Sequence, residues 1–154
     1  MGESRFFEDF CAGDATPPVE HHVDQRLVAG FVDLLRLDVP LFRDDRAARA
    51  AGHQRRIAPG PVLLSLAMAS VVPSGWLDES LIALVRMDAV EFRHPLHAGD
   101  RVRFTNHFVA KRTVARPDRG LVTLRLVATN QDGTVLMEFL RTFLLKRRAQ
   151  VEVA

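Results

Sequence analysis

Cysteine is almost absent from this 154-residue chain, in which Cys11 is the only one. A single cysteine cannot close an internal disulfide or build a thiolate metal cluster. The sequence also has no Gly-x-Ser-x-Gly, P-loop, dinucleotide-binding or His-Glu-x-x-His signature. His94 and His97 stand three residues apart, but a His-x-x-His pair without further ligands does not indicate a metal. We therefore expect neither a metal nor a resident cofactor.

Long apolar runs and runs of one charge are missing as well. The longest largely apolar stretch, 61–72, is too short to span a bilayer, and residues 1–8 lack the apolar segment of a secretory signal. Lys and Arg number 21 against 19 Asp and Glu. The basic clusters 55–56 and 146–148 are not interleaved with aromatics, as nucleic-acid-binding segments are. The sequence predicts a cytoplasmic protein that binds neither nucleic acid nor a membrane.

The first half of the chain shows helical patterning. Asp24 can cap a helix that begins at Gln25. Its proposed buried face consists of Leu27, Val28, Phe31, Leu34 and Leu35. A short helix is expected over 46–50, with Asp44 and Asp45 as its caps. A second long helix is expected over 61–72; it has almost no polar face, and a helix that is apolar all round is typically buried.

The patterning changes to alternation after Gly75. Strands are predicted at 81–92, 101–113, 121–129 and 134–145, and Gln131 to Gly133 is a hairpin signal. The inward residues are expected to be the alternating apolar ones, Val102, Phe104, Phe108, Ala110, Val122, Leu124, Leu126 and Ala128. Helices followed by antiparallel strands indicate an α+β fold with the sheet packed on one central helix. The length favours a single domain over 1–154, with its core at about 5–148.

Two segments resemble a known motif. Asp38 to Asp45 reads DVPLFRDD, and Arg55 to Gly60 reads RRIAPG just before the apolar helix. Together they resemble the hydratase motif of the MaoC-like (R)-specific enoyl-CoA hydratases, a hot-dog-fold family. The matching residues are Pro40, Leu41, Ile57, Ala58 and Gly60. Weaker resemblances lie at 92–100, the family's turn before a Gly-Asp pair, and at 130–133, its late hairpin.

The resemblance implies a fold, a substrate class and a partner. The fold would be a hot-dog domain, an antiparallel sheet wrapped around a central buried helix. The substrate would be a small-molecule acyl thioester carried by coenzyme A or an acyl carrier protein. The partner would be a second hot-dog subunit, in a homodimer or a heterodimer, with the acyl tunnel at their interface.

The acid/base residues of the motif are replaced. Aligned on Pro40, the family's catalytic Asp falls on Leu37 and its catalytic His on Phe42. Neither side chain can transfer a proton. Gly60 is the implied oxyanion donor, because free N–H groups at a helix N-terminus favour developing negative charge. Gly60 could equally serve only to turn the chain into the helix.

Asp38 and His53 are the candidates to replace the missing pair. A one-residue shift would bring Asp38 towards the place of the family's Asp, and His53 lies in the loop that leads to Gly60. Asp38 is equally a turn residue or cap before Pro40, and His53 equally a solvated loop residue. Asp38, His53 and Gly60 are thus the predicted catalytic residues. His94 and His97 are expected at the rim of the sheet.

Three functions remain open at this point. The first is a lyase of the acyl-thioester hydratase/dehydratase type with a non-standard acid/base site. The second is a non-catalytic acyl-binding subunit that completes the tunnel of an active partner. The third is a hot-dog thioesterase, which would need a carboxylate aimed at the thioester, with Asp38 or Asp44 as candidates.

Overall fold

A five-stranded antiparallel sheet packed around one helix forms the protein in the computed structural model, which describes residues 3–148. The strands lie in the order β1-β3-β4-β5-β2. Their bounds are β1 Val19–His22, β2 Leu81–Phe92, β3 Arg101–Thr113, β4 Arg119–Thr129 and β5 Val135–Lys146. The helices are α1 Gln25–Leu35, α2 Pro40–Arg43, α3 Asp45–Ala50 and α4 Gly60–Ala69, with 3-10 turns at Phe7–Asp9 and Val72–Ser74. The predicted α+β hot-dog fold is confirmed.

The four long strands occupy the predicted segments. β2 and β3 have the predicted bounds, and β4 and β5 differ from prediction by at most two residues. β1 was not predicted, because four residues after the Pro17–Pro18 pair are too few to show a period of two. It lies antiparallel to the start of β3, with Val19 opposite Phe104.

Inward-facing side chains of the sheet form the core. Val122, Leu124, Leu126 and Ala128 of β4 are fully buried, as predicted. On β3 the alternation holds for Val102 and Phe104, which are also fully buried. It does not hold for Ala110, which is exposed. A register shift between Phe108 and Ala110 is the reason, since one extra residue in a strand reverses the faces that follow.

Helix α4 enters the core with Val62, Leu63 and Ala67. Pro59 precedes the helix, and Pro61 occupies its first turn, where a proline costs no hydrogen bond. The helix ends at Ala69 and not at 72, because the chain tightens into the 3-10 turn that contains Pro73. Arg141 of β5 fixes this end: its Nη1 donates to the carbonyls of Ala67 at 3.1 Å and Met68 at 3.3 Å.

Arg141 is fully buried, and no carboxylate of the described residues lies within ion-pair distance of it. Burial lowers the pKa of its guanidinium to about 10. Its remaining partner is the Asn106 side chain, to which Nη2 donates. A cation among the last carbonyls of a helix faces the negative end of the helix dipole, so its position stabilises α4.

The N-cap of α1 is as predicted, since Leu27 N–H donates to Asp24 Oδ1 at 2.7 Å. Its buried face is centred on Val28 and Val32, with Leu27 and Phe31 packed against the core. Leu34 and Leu35 are exposed, so their predicted burial is wrong. Leu34 lies about 120° round the helix from Val28. Leu35 is the last helical residue before Arg36, whose left-handed backbone ends the helix.

The short helices link α1 to α4. Asp44 Oδ1 accepts the N–H of Arg46 at 2.7 Å, which confirms it as the cap of α3. Asp45 is instead the first residue of α3, and its carboxylate accepts the N–H of Arg56. None of the helices within 3–148 has both the length and the apolar character needed to cross a membrane.

Candidate active site at the N-terminus of α4

The loop that leads into α4 is fastened to the turn between β2 and β3. Ala58 N–H donates to the carbonyl of Leu96 at 2.7 Å, and Ile57 forms a β-bridge with His97. Asp100 holds the turn from inside: it is 2% exposed and accepts the His97 N–H at 2.8 Å. Arg55 donates to the same carboxylate at 2.8 Å. The loop before α4 and the turn between β2 and β3 are therefore bonded to each other beside the start of α4.

A cavity of about 330 Å³ opens at this helix end. Its walls are mostly apolar and include Phe42, Ile57, Leu63, Phe92 and Leu96. Gly60, Arg93 and His94 also line it. A small cavity with apolar walls and few polar groups suits an acyl group with one polar end.

Gly60 combines a place in the wall of this cavity with a backbone N–H that has no helical partner. Within 3–148, no backbone carbonyl accepts its N–H. Pro61 has no N–H, so Gly60 supplies the outermost donor of α4. The ring of Phe92 lies 3.2 Å from the position that a Cβ at residue 60 would occupy. A side chain here would press on Phe92 and narrow the cavity.

The positions of the missing acid/base pair are apolar. Phe42 lines the cavity, and Leu37 packs against the core. Asp38 lies on the surface, where its carboxylate accepts from Arg43 Nε at 2.8 Å. His53 is half-buried, and its N–H donates to the Ala48 carbonyl at 3.0 Å. Of the three predicted catalytic residues, Gly60 lines the cavity, whereas Asp38 and His53 are not among its lining residues.

His94 lines this cavity, whereas the sequence predicted for it only a place at the rim of the sheet. It lies two residues beyond the end of β2, and its Nδ1 lies 2.8 Å from the carbonyl oxygen of Val135. The 34 positions that separate it from Gly60 in the sequence gave no sign that both residues line one cavity. The resemblance of 92–100 to the family's turn was the available signal, since that turn packs against the α4 loop.

The neighbouring charges of the cavity are paired. Arg93 Nη2 lies 3.0 Å from Glu91 Oε2 and also contacts Glu138. A hydrogen bond from Arg125 and the nearby charge of Arg93 lower the pKa of Glu138. His97 is not among the lining residues, and burial lowers the pKa of its imidazole, although Asp100 acts in the opposite direction.

A second, larger cavity of about 600 Å³ lies at the far end of β2. Its charged residues form ion pairs, Arg147 with Glu8 at 2.6 Å and Arg119 with Asp118 at 2.8 Å. The hydrogen bond from Arg119 lowers the pKa of Asp118 to about 2. No group of three or more His, Cys, Asp or Glu in the described part of the chain could hold a metal ion.

Comparison with known proteins gives a consistent picture. Residues 11–139 match the protein family described as FAS1-like, dehydratase domain region. A UPF0336 protein from Saccharopolyspora erythraea is 29% identical over 131 residues, which cover 82% of each chain. The structure of a monoamine oxidase regulatory protein from Archaeoglobus fulgius matches with a TM-score of 0.87, at 25% identity over 96% of this chain and 97% of that one.

Two further solved structures share the fold. A MaoC-like dehydratase from Rhodospirillum rubrum matches with a TM-score of 0.83, at 25% identity over 94% of this chain and 98% of that one. A chain of the HadBC (3R-hydroxyacyl-ACP dehydratase) complex from Mycobacterium tuberculosis matches with a TM-score of 0.72, at 23% identity over 86% and 96%.

Proposed function

Because this chain belongs to the FAS1-like dehydratase-region family, a group of MaoC-like hot-dog proteins, we propose that it binds an acyl thioester in the cavity at the N-terminus of α4. The observation that carries the proposal is that Gly60, whose N–H has no backbone acceptor within 3–148, lines a mostly apolar cavity of about 330 Å³. The carrier would be coenzyme A or an acyl carrier protein, and the proposed location is cytoplasmic.

The proposed reaction is hydration of an enoyl thioester, or the reverse dehydration, without the usual Asp/His pair. A thioester oxygen placed at Gly60 would accept its N–H, and the helix dipole would favour the charge that develops there. A single donor of this kind is typically worth about 10²–10³ in kcat. The acyl chain would lie against Phe42, Leu63 and Phe92.

The assay is hydration of crotonyl-CoA by the purified protein. We expect turnover about 10²–10⁴-fold below that of a hydratase with an intact Asp/His pair, because Leu37 and Phe42 cannot transfer protons. Turnover equal to such an enzyme would contradict the alignment of the motif on Pro40.

The predicted roles of Asp38 and His53 are tested in the same assay. If they act together, Asp38→Asn and His53→Ala each abolish turnover while the melting temperature stays near that of the wild type. Unchanged turnover in both variants would remove them from the mechanism. Asp38 is exposed and paired with Arg43 in this chain, so its action would require a different arrangement of the α1–α2 segment.

A non-catalytic subunit is the second candidate, and the edge of the sheet favours it. Within residues 3–148, β2 pairs only with β5, and its residues Leu81, Leu84, Val85 and Phe92 are 38–52% exposed. The HadBC complex is a precedent for pairing between two different hot-dog chains. On this alternative, turnover would appear only after co-expression with an Asp/His-bearing hot-dog chain.

The thioesterase alternative has less support. It needs a carboxylate aimed at the thioester, but no Asp or Glu lines the cavity. Asp38 is paired with Arg43, and Asp44 caps α3.

A further inference from the structure

The cavity at α4 holds one side chain that can exchange protons near neutral pH. Among the described residues that line it, only Arg93 and His94 are ionisable. Arg93 is paired with Glu91 and Glu138, and a guanidinium does not give up its proton in proteins. Histidine is the side chain suited to proton transfer in this range. His94 is therefore the candidate for proton transfer in this cavity.

The environment of His94 fixes its tautomer. A backbone carbonyl only accepts, so the 2.8 Å contact with Val135 places the proton of the neutral imidazole on Nδ1. The lone pair is then on Nε2, for which the described residues supply no hydrogen-bond partner. The backbone is also held, since the N–H groups of Arg93 and His94 both donate to the Leu136 carbonyl, at 2.8 and 3.4 Å.

We infer that His94 is the catalytic acid/base of this cavity, an inference that rests on the proposed binding of an acyl thioester there. It replaces the missing pair from a different element, the turn after β2, and not from the segment 37–42. Sequence alignment on the hydratase motif does not find it for that reason.

The reaction balances with this one histidine. In hydration, Nε2 takes a proton from water as the water oxygen bonds to the β-carbon. The electron pair of the enoyl double bond moves towards the thioester, whose oxygen gains charge beside Gly60 N–H. The Nε2–H of the imidazolium then protonates the α-carbon, which restores the thioester carbonyl and the neutral histidine. Dehydration follows the same steps in reverse, with water as the leaving group.

The hydrogen bond between His94 and a backbone carbonyl also gives a reason for the slow turnover that we expect. Val135 offers His94 a neutral carbonyl, whereas a carboxylate would stabilise the imidazolium through a charge-assisted hydrogen bond. We therefore expect His94 to support turnover that is weak but measurable.

The test compares His94→Gln and His94→Ala with wild type and with His107→Gln. His107 is an exposed histidine of β3 that does not line the cavity, so it controls for loss of any histidine. Three quantities are measured: crotonyl-CoA hydration, exchange of the α-hydrogens of butyryl-CoA with deuterated water, and the affinity for butyryl-CoA. We expect both His94 variants to lose about 10²–10⁴-fold in turnover and exchange. Their affinity for butyryl-CoA should remain, and added imidazole should partly restore turnover to His94→Ala.

The outcomes separate this inference from the proposed function. Wild-type turnover in both His94 variants would overturn the role of His94, and so would a wild-type protein that binds butyryl-CoA but catalyses neither hydration nor exchange. In both cases thioester binding would stand. A wild-type protein that does not bind butyryl-CoA would overturn the proposed function itself.

Discussion

At the scale of single residues, two glycines lie where a Cβ would press on an aromatic ring, tightly at Gly60 and with overlap at Gly120. Gly60 lies under Phe92 at the cavity, and Gly120 of β4 lies under Phe7. The resemblance at 55–60 indicated the first. Nothing in the sequence indicated the second, because Phe7 is more than a hundred positions away and the contact forms only when the N-terminal turn packs on the sheet.

Gly120→Ala should destabilise the protein. A Cβ at this position would overlap the Phe7 ring, which is itself buried and cannot easily move. Overpacking of this kind typically costs about 1–3 kcal/mol. The measurement is the free energy of unfolding in urea.

Gly30→Ala is the matched control. Gly30 lies within α1, and a Cβ there meets nothing within 4 Å. Alanine is favoured over glycine in a helix by about 0.8–1.0 kcal/mol, so this variant should be more stable than wild type. Equal stability of the two variants would contradict the packing described for Phe7.

The candidate site was only partly predictable at this scale. The residues of the hydratase motif predicted the start of α4 correctly, and the alignment on Pro40 placed Leu37 and Phe42 at the positions of the family's Asp/His pair. They could not reveal His94, because the turn that carries it is joined to the loop before α4 by the long-range bridge between Ile57 and His97. Asp38 and His53 are close to Gly60 in sequence, yet the helices α2 and α3 lie between them and carry each to its own surroundings.

At the scale of elements, the turn His94 to Asp100 makes the stability of the fold depend on pH through His97. Burial lowers the pKa of His97, with Arg55 and His53 acting in the same direction and Asp100 opposing. His97 therefore takes up its proton at a lower pH in the folded protein than in the unfolded chain, where the pKa of a histidine is about 6.5. Its contribution to stability is fully present above that value and is lost as the pH falls through the folded pKa.

His97→Gln should therefore weaken the pH dependence of stability. The free energy of unfolding of the wild type should fall as the pH is lowered from about 8 to 5, the range in which histidine titrates. The free energy of unfolding of His97→Gln should fall less over this range. His107→Gln, the same change at an exposed position, should show the pH dependence of the wild type. If the free energy of unfolding changed equally with pH in the wild type and in His97→Gln, the pH dependence would come from other groups.

The strands and helices also differ in how well the sequence predicted them. The long strands were predictable because ten or more alternating residues outweigh local exceptions. The register shift after Phe108 and the exposure of the last residues of α1 were not predictable from the sequence, because both depend on the points at which the chain must turn.

At the scale of the whole molecule, the open edge of β2 predicts pairing with a second hot-dog chain. An edge strand with exposed apolar side chains and unpaired backbone groups is a template for association. Sequence periodicity placed β2 correctly but could not show that it lies at an edge, because strand order follows from long-range contacts.

Val85→Lys should convert the assembly to monomers. Val85 is 49% exposed on β2, and a buried lysine at a subunit interface would be left without a partner. Val109→Lys is the control, because Val109 is 48% exposed on β3 and away from that edge. Sedimentation should give a dimer for wild type and Val109→Lys and a monomer for Val85→Lys. A dimer in all three would place the interface elsewhere.

Calorimetric titration with butyryl-CoA measures whether the Gly60 cavity binds an acyl thioester. We expect saturable binding that is tighter than for free coenzyme A. Gly60→Val should weaken it at least about tenfold, or 1.4 kcal/mol, because the new side chain meets Phe92 in the cavity. Gly30→Val, on the open surface of α1, should bind like the wild type. Absence of saturable binding, or equal affinity for wild type and Gly60→Val, would contradict the account.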